Sequence, residues 1–233
     1  MKLCMIGTGY VGLVSGTCFA DIGNQVYCVD KDKNKIDKLN SGVSPIYEPG
    51  LDELIKKNYD ANRLIFTSDI KKAINASDLI FICVGTPTKK GSLKVDLSFV
   101  YKCSKEILKY TKKKKIIITK STVPVGTGDI IEKIIKKKKK LFSVISNPEF
   151  LREGEAIRDF RYPDRIVIGS DNKNVFKTMR KLYSSLISKG AKFFTTSRKG
   201  AELIKYASNA FLATKITFIN ELANLCEKTG INI

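Results

Sequence analysis

The 233-residue sequence contains no histidine. A Ser-His-Asp triad, a Cys-His pair and a histidine general base are therefore excluded, and any proton transfer must use Lys, Asp, Glu, Cys, Tyr or water. The six cysteines form no Cys-x-x-Cys pair, and Cys4, Cys28 and Cys83 lie in apolar runs of strand length, where cysteine behaves as a small hydrophobe. We expect no disulfide, no metal site and a reducing, cytoplasmic environment.

Long hydrophobic runs are also missing. No run reaches the ~18 apolar residues of a membrane span, and the first residues show no signal-peptide pattern, so we expect no membrane association. The formal charge of +19 comes largely from lysine runs at 112–115 and 136–140. These runs contain neither aromatic residues nor arginine and adjoin a predicted strand or helix, which indicates solvated loop ends and no nucleic-acid binding. The positive excess favours an anionic substrate.

A glycine-rich turn follows the first predicted strand. It reads Gly7-Thr-Gly-Tyr-Val-Gly12, and Asp30 stands at the end of the next predicted strand. Gly7 permits a tight turn, Gly9 leaves room for a pyrophosphate, and Gly12 lets the following helix approach the sheet. A carboxylate at Asp30 accepts hydrogen bonds from ribose hydroxyls and repels a 2′-phosphate. The pattern predicts binding of NAD rather than NADP.

Short apolar runs alternate with helix-like segments along most of the chain. Continuous apolar strands separated by helices are typical of a parallel sheet covered on both faces. We therefore predict an α/β fold over residues 1–197, Rossmann-like and doubly wound with a mainly parallel sheet. Apolar residues at helical spacing predict one long helix within residues 198–233. A helix this apolar requires a partner, either another subunit or a following domain.

Several loops after predicted central strands are expected to meet in one crevice, because ligands bind at the carboxyl ends of the strands in such sheets. Besides the glycine-rich turn, they cover residues 84–88, 120–127 and 146–155. On the long helix, Lys205 and Asn209 lie four residues apart and therefore on one face. An ammonium and an amide N–H there can both donate to a developing oxyanion.

Together these segments resemble the nucleotide-sugar dehydrogenases, which oxidise a sugar 6-alcohol to a carboxylate. The resemblance covers residues 1–233 and includes Gly7-Thr-Gly-Tyr-Val-Gly12, Tyr47-Glu-Pro-Gly50, Val84-Gly-Thr-Pro-Thr88, Lys120-Ser-Thr-Val-Pro-Val-Gly126, Asn147-Pro-Glu-Phe-Leu-Arg-Glu-Gly154 and Glu202-Leu-Ile-Lys-Tyr-Ala-Ser-Asn-Ala-Phe-Leu212. It implies a two-step, four-electron oxidation that uses two NAD. The Asn147 segment together with Tyr162-Pro-Asp-Arg165 favours UDP-glucose as substrate over GDP-mannose and UDP-N-acetylmannosamine.

The resemblance also implies roles for single residues. It implies NAD contacts from Gly7, Thr8, Gly9, Tyr10, Val11, Gly12, Asp30, Lys35, Val84, Gly85, Thr86, Pro87, Ser121, Thr122 and Glu153. It implies sugar-nucleotide contacts from Glu149, Phe150, Leu151, Arg152, Glu153, Lys205 and Asn209. Among these, Glu153 would be the general base for water, Thr122 would help to place that water, and Lys205 and Asn209 would bind the reacting oxygen.

Two parts of the family pattern have no match in these residues: the nucleophilic cysteine and the second Rossmann-like domain, which binds UDP. Cys226 lies in a different sequence context. We therefore expect this chain to be an N-terminal portion that is inactive alone, with a homodimer forming through the 198–233 helix in the full-length protein. The sequence leaves open a dehydrogenase of another nucleotide sugar, a NAD enzyme of the 6-phosphogluconate or hydroxyacyl type, and a NAD-binding module without catalysis.

Overall fold

A computed structural model describes residues 1–232 apart from the side chain of Lys139, so that Ile233, at the end of the predicted long-helix region, lies outside the described residues. The strands are Lys2–Ile6 (β1), Gln25–Val29 (β2), Leu64–Thr67 (β3), Leu79–Ile82 (β4), Lys115–Thr119 (β5), Phe142–Ser146 (β6), Arg165–Gly169 (β7) and Lys192–Thr196 (β8). The helices are Tyr10–Asp21 (α1), Lys33–Asn40 (α2), Leu51–Asp60 (α3), Ile70–Ala76 (α4), Ser98–Tyr110 (α5), Thr127–Ile134 (α6), Ala156–Arg161 (α7), Asn174–Leu182 (α8), Ser184–Ile187 (α9) and Arg198–Thr229 (α10), with a 3-10 segment at Lys136–Leu141.

The sheet has the strand order β3-β2-β1-β4-β5-β6-β7-β8. Every pairing from β3 across to β6 is parallel, and the order reverses between β1 and β4. The loops that follow β1, β4, β5 and β6 therefore share one edge, and the turn after β1 lies beside the loop after β4. This arrangement confirms the predicted doubly wound, mainly parallel fold.

The last two strands run in the opposite direction. β7 joins β6 antiparallel through the pair Ser146 and Gly169, and β8 lies parallel to β7. The connection between β6 and β7 covers residues 147–164 and contains the six-residue helix α7. After this connection the chain returns antiparallel from the edge where β6 ends. The apolar runs predicted both strands, but neither this reversal nor α7.

The core has one layer on each face of the sheet. On one face, Phe19 of α1 lies at the centre of an aromatic cluster, with ring centroids 5.3 Å from Phe81, 4.9 Å from Phe160 and 5.5 Å from Tyr183. On the other face, Ile117 of β5 packs among apolar residues of α4, α5 and α6. Central strands buried on both faces explain why their sequences read as continuous apolar runs.

The sequence predicts one helix over residues 173–187 and one from Gly200 to Lys228, and the boundaries of both differ in the structure. The segment 173–187, predicted as one helix, is divided into α8 and α9 at Tyr183, whose hydroxyl points inward and donates to Asn147 Oδ1 at 2.5 Å. α10 begins two residues before the expected Gly200, because Ser197 Oγ accepts a hydrogen bond from the Gly200 N–H at 3.1 Å and caps the helix. Within residues 1–232, no helix combines the length and the apolarity needed to cross a bilayer.

Arg198 attaches the start of α10 to the domain. Its side chain is buried, and its guanidinium lies 2.7 Å from Asp129, 2.9 Å from Glu132 and 2.8 Å from Asp171. A desolvated guanidinium is tolerated only where such partners compensate it. The three carboxylates come from α6 and from the loop after β7, so that one side chain connects α10 to both.

We expect Arg198→Ala to lower the free energy of unfolding by about 3 kcal/mol, because three neighbouring carboxylates lose their shared cation. Lys199→Ala is the matched control: its side chain is 62% exposed and pairs with Asp129 at 3.1 Å, so that the expected loss is below about 1 kcal/mol. Urea denaturation measures both changes. Similar losses in the two variants would contradict the role given to Arg198.

Candidate functional site

The three glycines of the first turn have different surroundings. Gly7 has a φ of +100°, and a Cβ on it would lie 2.8 Å from the carbonyl oxygen of Cys83. A Cβ on Gly12 would lie 1.9 Å from the oxygen of Gly7, whereas one on Gly9 would meet no atom within 4 Å. Gly9 is the N-cap of α1 and offers no side chain to cap it, so the first N–H groups of α1 face this open space. Such a helix start suits a pyrophosphate.

Asp30 lies at the end of β2 beside this turn. Its carboxylate accepts hydrogen bonds from the Thr8 N–H at 3.0 Å and the Thr8 hydroxyl at 2.8 Å, and Lys35 Nζ lies 3.3 Å away. Burial pushes the pKa of Asp30 upward, but these hydrogen bonds and the one from Asp32 N–H outweigh it and hold the pKa below its ordinary value. The group is therefore ionised at neutral pH and can accept hydrogen bonds from ribose hydroxyls.

The loops after β4 and β5 are joined by side-chain hydrogen bonds. The Thr86 hydroxyl donates to the carbonyl oxygen of Thr122 at 2.8 Å, and the Ser121 hydroxyl donates to that of Val84 at 2.6 Å. These four residues are half-buried. Gly85 and Pro87, which are also predicted to contact NAD, are exposed. The predicted cofactor residues on the two loops thus lie next to each other.

A buried ion pair connects α10 to the segment after β6. Lys205 Nζ lies 2.9 Å from Glu149 Oε1, with side-chain exposures of 9% and 10%. The other Glu149 oxygen accepts the Leu151 N–H at 2.7 Å, and Lys205 Nζ lies 5.4 Å from the centre of the Phe150 ring. Lys120 is buried nearby. Its burial and the charge of Lys205 lower its pKa, and the charges of Cys83 and Glu149, which raise it, only partly offset this effect.

A cleft of about 630 Å³ opens beside this pair and is lined by Lys120, Glu149, Arg152, Arg158, Arg165 and Tyr162, among others. Its volume lies within the range of small-molecule sites. The Arg165 guanidinium stacks 4.2 Å from the centre of the Phe150 ring, and Arg152 pairs with Asp159 at 2.6 Å. The lining has four cations against the three carboxylates Glu149, Asp159 and Asp164, a small positive excess that favours an anionic ligand.

A small cavity of about 10 Å³ adjoins the cleft, since Pro148 lines both. Thr122, Ser121, Lys205 and Glu202 also line it. Its volume is close to what one ordered water requires. The structure therefore brings Thr122 and Lys205, both predicted site residues, to the same space.

Two predicted catalytic residues lie outside this cluster. Glu153 is exposed, and the N–H of its neighbour Gly154 donates to the hydroxyl of Tyr10 of the cofactor turn at 3.2 Å, so Glu153 lies toward the cofactor side. Asn209 follows Lys205 by one turn of α10 and is exposed. Sequence reasoning missed Lys120, which lines the cleft. Its only signal was its place at the start of the Lys120 segment that carries the family resemblance.

The fold and the glycine-rich turn define a dinucleotide-binding α/β domain with a cationic cleft next to it. Residues 1–187 match the NAD binding domain of the UDP-glucose/GDP-mannose dehydrogenase family, and residues 199–233 match the central domain of that family. The chain belongs to this family. A NAD-type cofactor follows from the matched domain.

Relatives of two substrate types are similar to the chain. A UDP-glucose 6-dehydrogenase of Rhizobium meliloti is 54% identical over the whole chain. Among solved structures, a GDP-mannose dehydrogenase of Pseudomonas aeruginosa in a ternary complex gives a TM-score of 0.94 with 36% identity over 100% of the chain. A UDP-glucose dehydrogenase of Pyrobaculum islandicum gives 0.93 with 36% identity over 99% of the chain. The chain spans about half of these proteins, 54% of each.

We expect Gly9→Ala and Gly12→Ala to fail in different ways. In Gly9→Ala the new methyl group enters open space, so stability stays within about 0.5 kcal/mol, whereas NAD binding weakens by about tenfold or more because the methyl group blocks the pyrophosphate. In Gly12→Ala the methyl group meets the backbone at Gly7, so the melting temperature falls. Calorimetric titration with NAD and thermal unfolding measure both effects. Unchanged NAD affinity in Gly9→Ala would contradict the position of the pyrophosphate.

Proposed function

We propose that the full-length protein oxidises the 6-alcohol of UDP-glucose to the carboxylate in two NAD-dependent steps. The main support is the buried pair of Lys205 and Glu149 at the same sheet edge as the glycine-rich turn; Glu149 also lines the cleft. When bound, NAD accepts a hydride in each oxidation. The residues of this chain bind and orient the reactants and move protons.

The cofactor is NAD rather than NADP in this proposal. The Asp30 carboxylate is ionised and held by Thr8 and Lys35, and a fixed negative charge at the end of β2 repels a 2′-phosphate while it accepts ribose hydroxyls. The Lys35 ammonium leaves this preference intact, because it is already paired with the same carboxylate.

Lys205 stabilises negative charge on the sugar oxygen. Its ammonium is desolvated and has one carboxylate partner, so that it can donate to an alkoxide at C6 in a medium where such a bond is strong. Asn209, one turn further along α10, adds an amide donor from the same side of the helix. Both groups would thus act on the reacting oxygen, as the family resemblance implies.

Glu149 is the better-placed general base. It contacts Lys205 directly and lines the cleft, whereas Glu153, the base expected from the sequence, is exposed and lies toward Tyr10. We therefore assign the deprotonation of water in the last step to Glu149 and a cofactor contact to Glu153. Thr122 would hold a water in the small cavity it shares with Lys205, the lysine that pairs with Glu149.

The thiol that the family resemblance implies for a covalent intermediate is none of the five buried cysteines. Burial raises the pKa of Cys18, Cys83 and Cys103 to about 12 and raises that of Cys4 and Cys28 as well. A buried thiol of this kind is a poor nucleophile, since the thiolate is the reactive form. We expect the 233-residue chain alone to give no turnover.

Production of NADH tests the proposal. The full-length protein should form two NADH per UDP-glucose, with a higher kcat/KM for NAD than for NADP. GDP-mannose is the second candidate substrate, because the GDP-mannose dehydrogenase structure matches the fold as closely as the UDP-glucose one; UDP-glucose is favoured by the 54% identity to a UDP-glucose 6-dehydrogenase. Higher kcat/KM with GDP-mannose or UDP-N-acetylmannosamine would overturn the substrate. Binding of NAD without any turnover would indicate a non-catalytic module.

We expect Glu149→Gln to lower kcat by about 10²-fold or more, because the amide cannot accept the proton from water. Glu153→Gln, the matched control, should lower kcat by less than about tenfold and act mainly on the KM for NAD. Steady-state kinetics with both substrates, together with melting temperatures, separate these effects. A larger kcat loss in Glu153→Gln with an unchanged KM for NAD would support Glu153 as the base.

A homodimer through α10 is the second part of the proposal. Beyond Lys205 this helix exposes several large apolar side chains: Phe211, Leu212, Ile216, Phe218, Ile219, Leu222 and Leu225. A continuous apolar surface of this kind is typical of an interface. A second copy of the same helix is the simplest partner, since closed twofold pairs are the commonest assemblies.

We expect Ile219→Lys to convert the full-length protein from dimer to monomer, because a charge would be buried at the interface. Asn220→Lys, on the polar side of the same turn, should leave the mass unchanged. Light scattering coupled to size-exclusion chromatography measures the mass. A monomeric unsubstituted protein would contradict this pairing.

A further inference from the structure

Glu48 is a buried carboxylate in the loop between α2 and α3. It is 5% exposed, although its neighbour Tyr47 is 88% exposed. Glutamate is seldom this buried unless its charge is compensated. It lies in the segment Tyr47-Glu-Pro-Gly50, which supplies no group to the proposed chemistry.

Three parts of the chain meet at this carboxylate. Oε2 accepts hydrogen bonds from the Tyr10 hydroxyl and from the Gly154 N–H, the latter at 2.8 Å. Oε1 accepts the Ala156 N–H at 2.8 Å and the Ile157 N–H at 3.4 Å. The Tyr10 oxygen also accepts the Gly154 N–H at 3.2 Å. The carboxylate thus accepts one side-chain and three backbone hydrogen bonds.

The donors belong to the two halves of the candidate site. Tyr10 is the first residue of α1 and follows Gly9 of the cofactor turn directly. Gly154 and Ala156 end the segment that begins at Asn147 and contains Glu149. The N-cap residue of α7, Glu155, makes no side-chain cap of its own, so that Glu48 supplies the cap from a distant loop.

The segment from Asn147 to Gly154 is held at its other end as well. The Asn147 amide donates to the Val167 carbonyl oxygen at 3.1 Å and accepts the Tyr183 hydroxyl at 2.5 Å. Glu149 near the middle pairs with Lys205. Glu48 therefore fixes the end of the cleft wall that lies toward the cofactor turn, and the Asn147 contacts fix the other.

We propose that Glu48 is a positioning residue: its carboxylate, shared by Tyr10 and the backbone of Gly154 and Ala156, holds the wall of the sugar-nucleotide cleft in register with the cofactor turn. The inference rests on the proposed function. Hydride transfer requires the reacting atoms within about 3–3.5 Å. A wall bound to the same residue that begins α1 keeps the sugar carbon and the nicotinamide at that distance.

Glu48→Gln removes one of the two acceptor oxygens and places an NH₂ group against a backbone N–H. In the full-length protein we expect kcat at saturating substrates to fall about 10- to 100-fold, because the reactants are misplaced, while the Kd for NAD alone changes by less than about threefold, because the glycine turn is intact. Tyr10→Phe keeps the backbone hydrogen bonds of Glu48 and should lower kcat in the same direction but less.

The kinetic effects of the two changes should not be additive. If both act through one contact, the double variant loses about as much kcat as Glu48→Gln alone. Glu53→Gln, an exposed glutamate on the neighbouring α3, is the control and should match the unsubstituted protein. Additive losses, or a kcat equal to that of the control in folded Glu48→Gln and Tyr10→Phe, would overturn the positioning role, since a merely structural carboxylate would change the melting temperature alone.

Amide hydrogen exchange at Gly154, Ala156 and Ile157 needs no turnover and separates this proposal from the proposed function. Faster exchange at these three amides in Glu48→Gln, but not in Glu53→Gln, would support the contact, and unchanged exchange would overturn it. An unsubstituted protein that oxidises no nucleotide sugar would contradict the proposed function, whatever the exchange shows. If Glu48→Gln fails to fold, Tyr10→Phe tests the contact at Gly154, whose N–H also donates to the Tyr10 hydroxyl oxygen at 3.2 Å: faster exchange there would support the contact, and unchanged exchange would overturn it.

Discussion

Six neighbouring strands that end at one edge are the constraint on which the site depends. Because β1 to β6 run parallel, the loops that follow the central ones meet in space although they are far apart in sequence. The reversal of order between β1 and β4 opens the crevice between their loops. Side-chain hydrogen bonds from Thr86 and Ser121 to neighbouring carbonyl groups then join the loops after β4 and β5 to each other.

Buried charge on the first two turns of α10 brings the long helix to that edge. Arg198, Glu202 and Lys205 are all buried. Glu202 accepts the Gly126 N–H at 2.6 Å and the Gly128 N–H at 2.8 Å, yet burial still raises its pKa. Since a buried charge without its partner is costly, the three residues set the rotation of the helix and so direct Lys205 toward Glu149.

The sequence predicted the parts of the site that depend on local backbone chemistry. The glycine-rich turn was recognised because each of its glycines has a role that depends on the nearby backbone. The helical spacing of Lys205 and Asn209 indicated that they lie on one face of the helix. The structure has the glycine turn and the predicted strands, and it shows in addition that Lys205 is buried. The sequence analysis named Glu153 as the base, whereas the structure pairs Glu149 with Lys205; the two glutamates lie in one loop, and the direction in which that loop turns is not visible in the sequence.

Glu48 is another residue whose contacts could not be predicted from the local sequence. A glutamate between a tyrosine and a proline reads as an ordinary loop residue, because nothing within a few positions indicates that it meets Tyr10 and Gly154. The reversal of β7 is also invisible locally, since an apolar run has the same pattern in either strand direction.

Local patterns by themselves determined the class of fold, the dinucleotide turn, and the family, because hydrophobic periodicity and glycine conformation are properties of neighbouring residues. Tertiary structure alone decided which carboxylate faces Lys205, where Glu48 is buried, and how β7 enters the sheet. These features follow from contacts between residues that are distant in sequence, and their energies depend on burial and on partners that folding brings together.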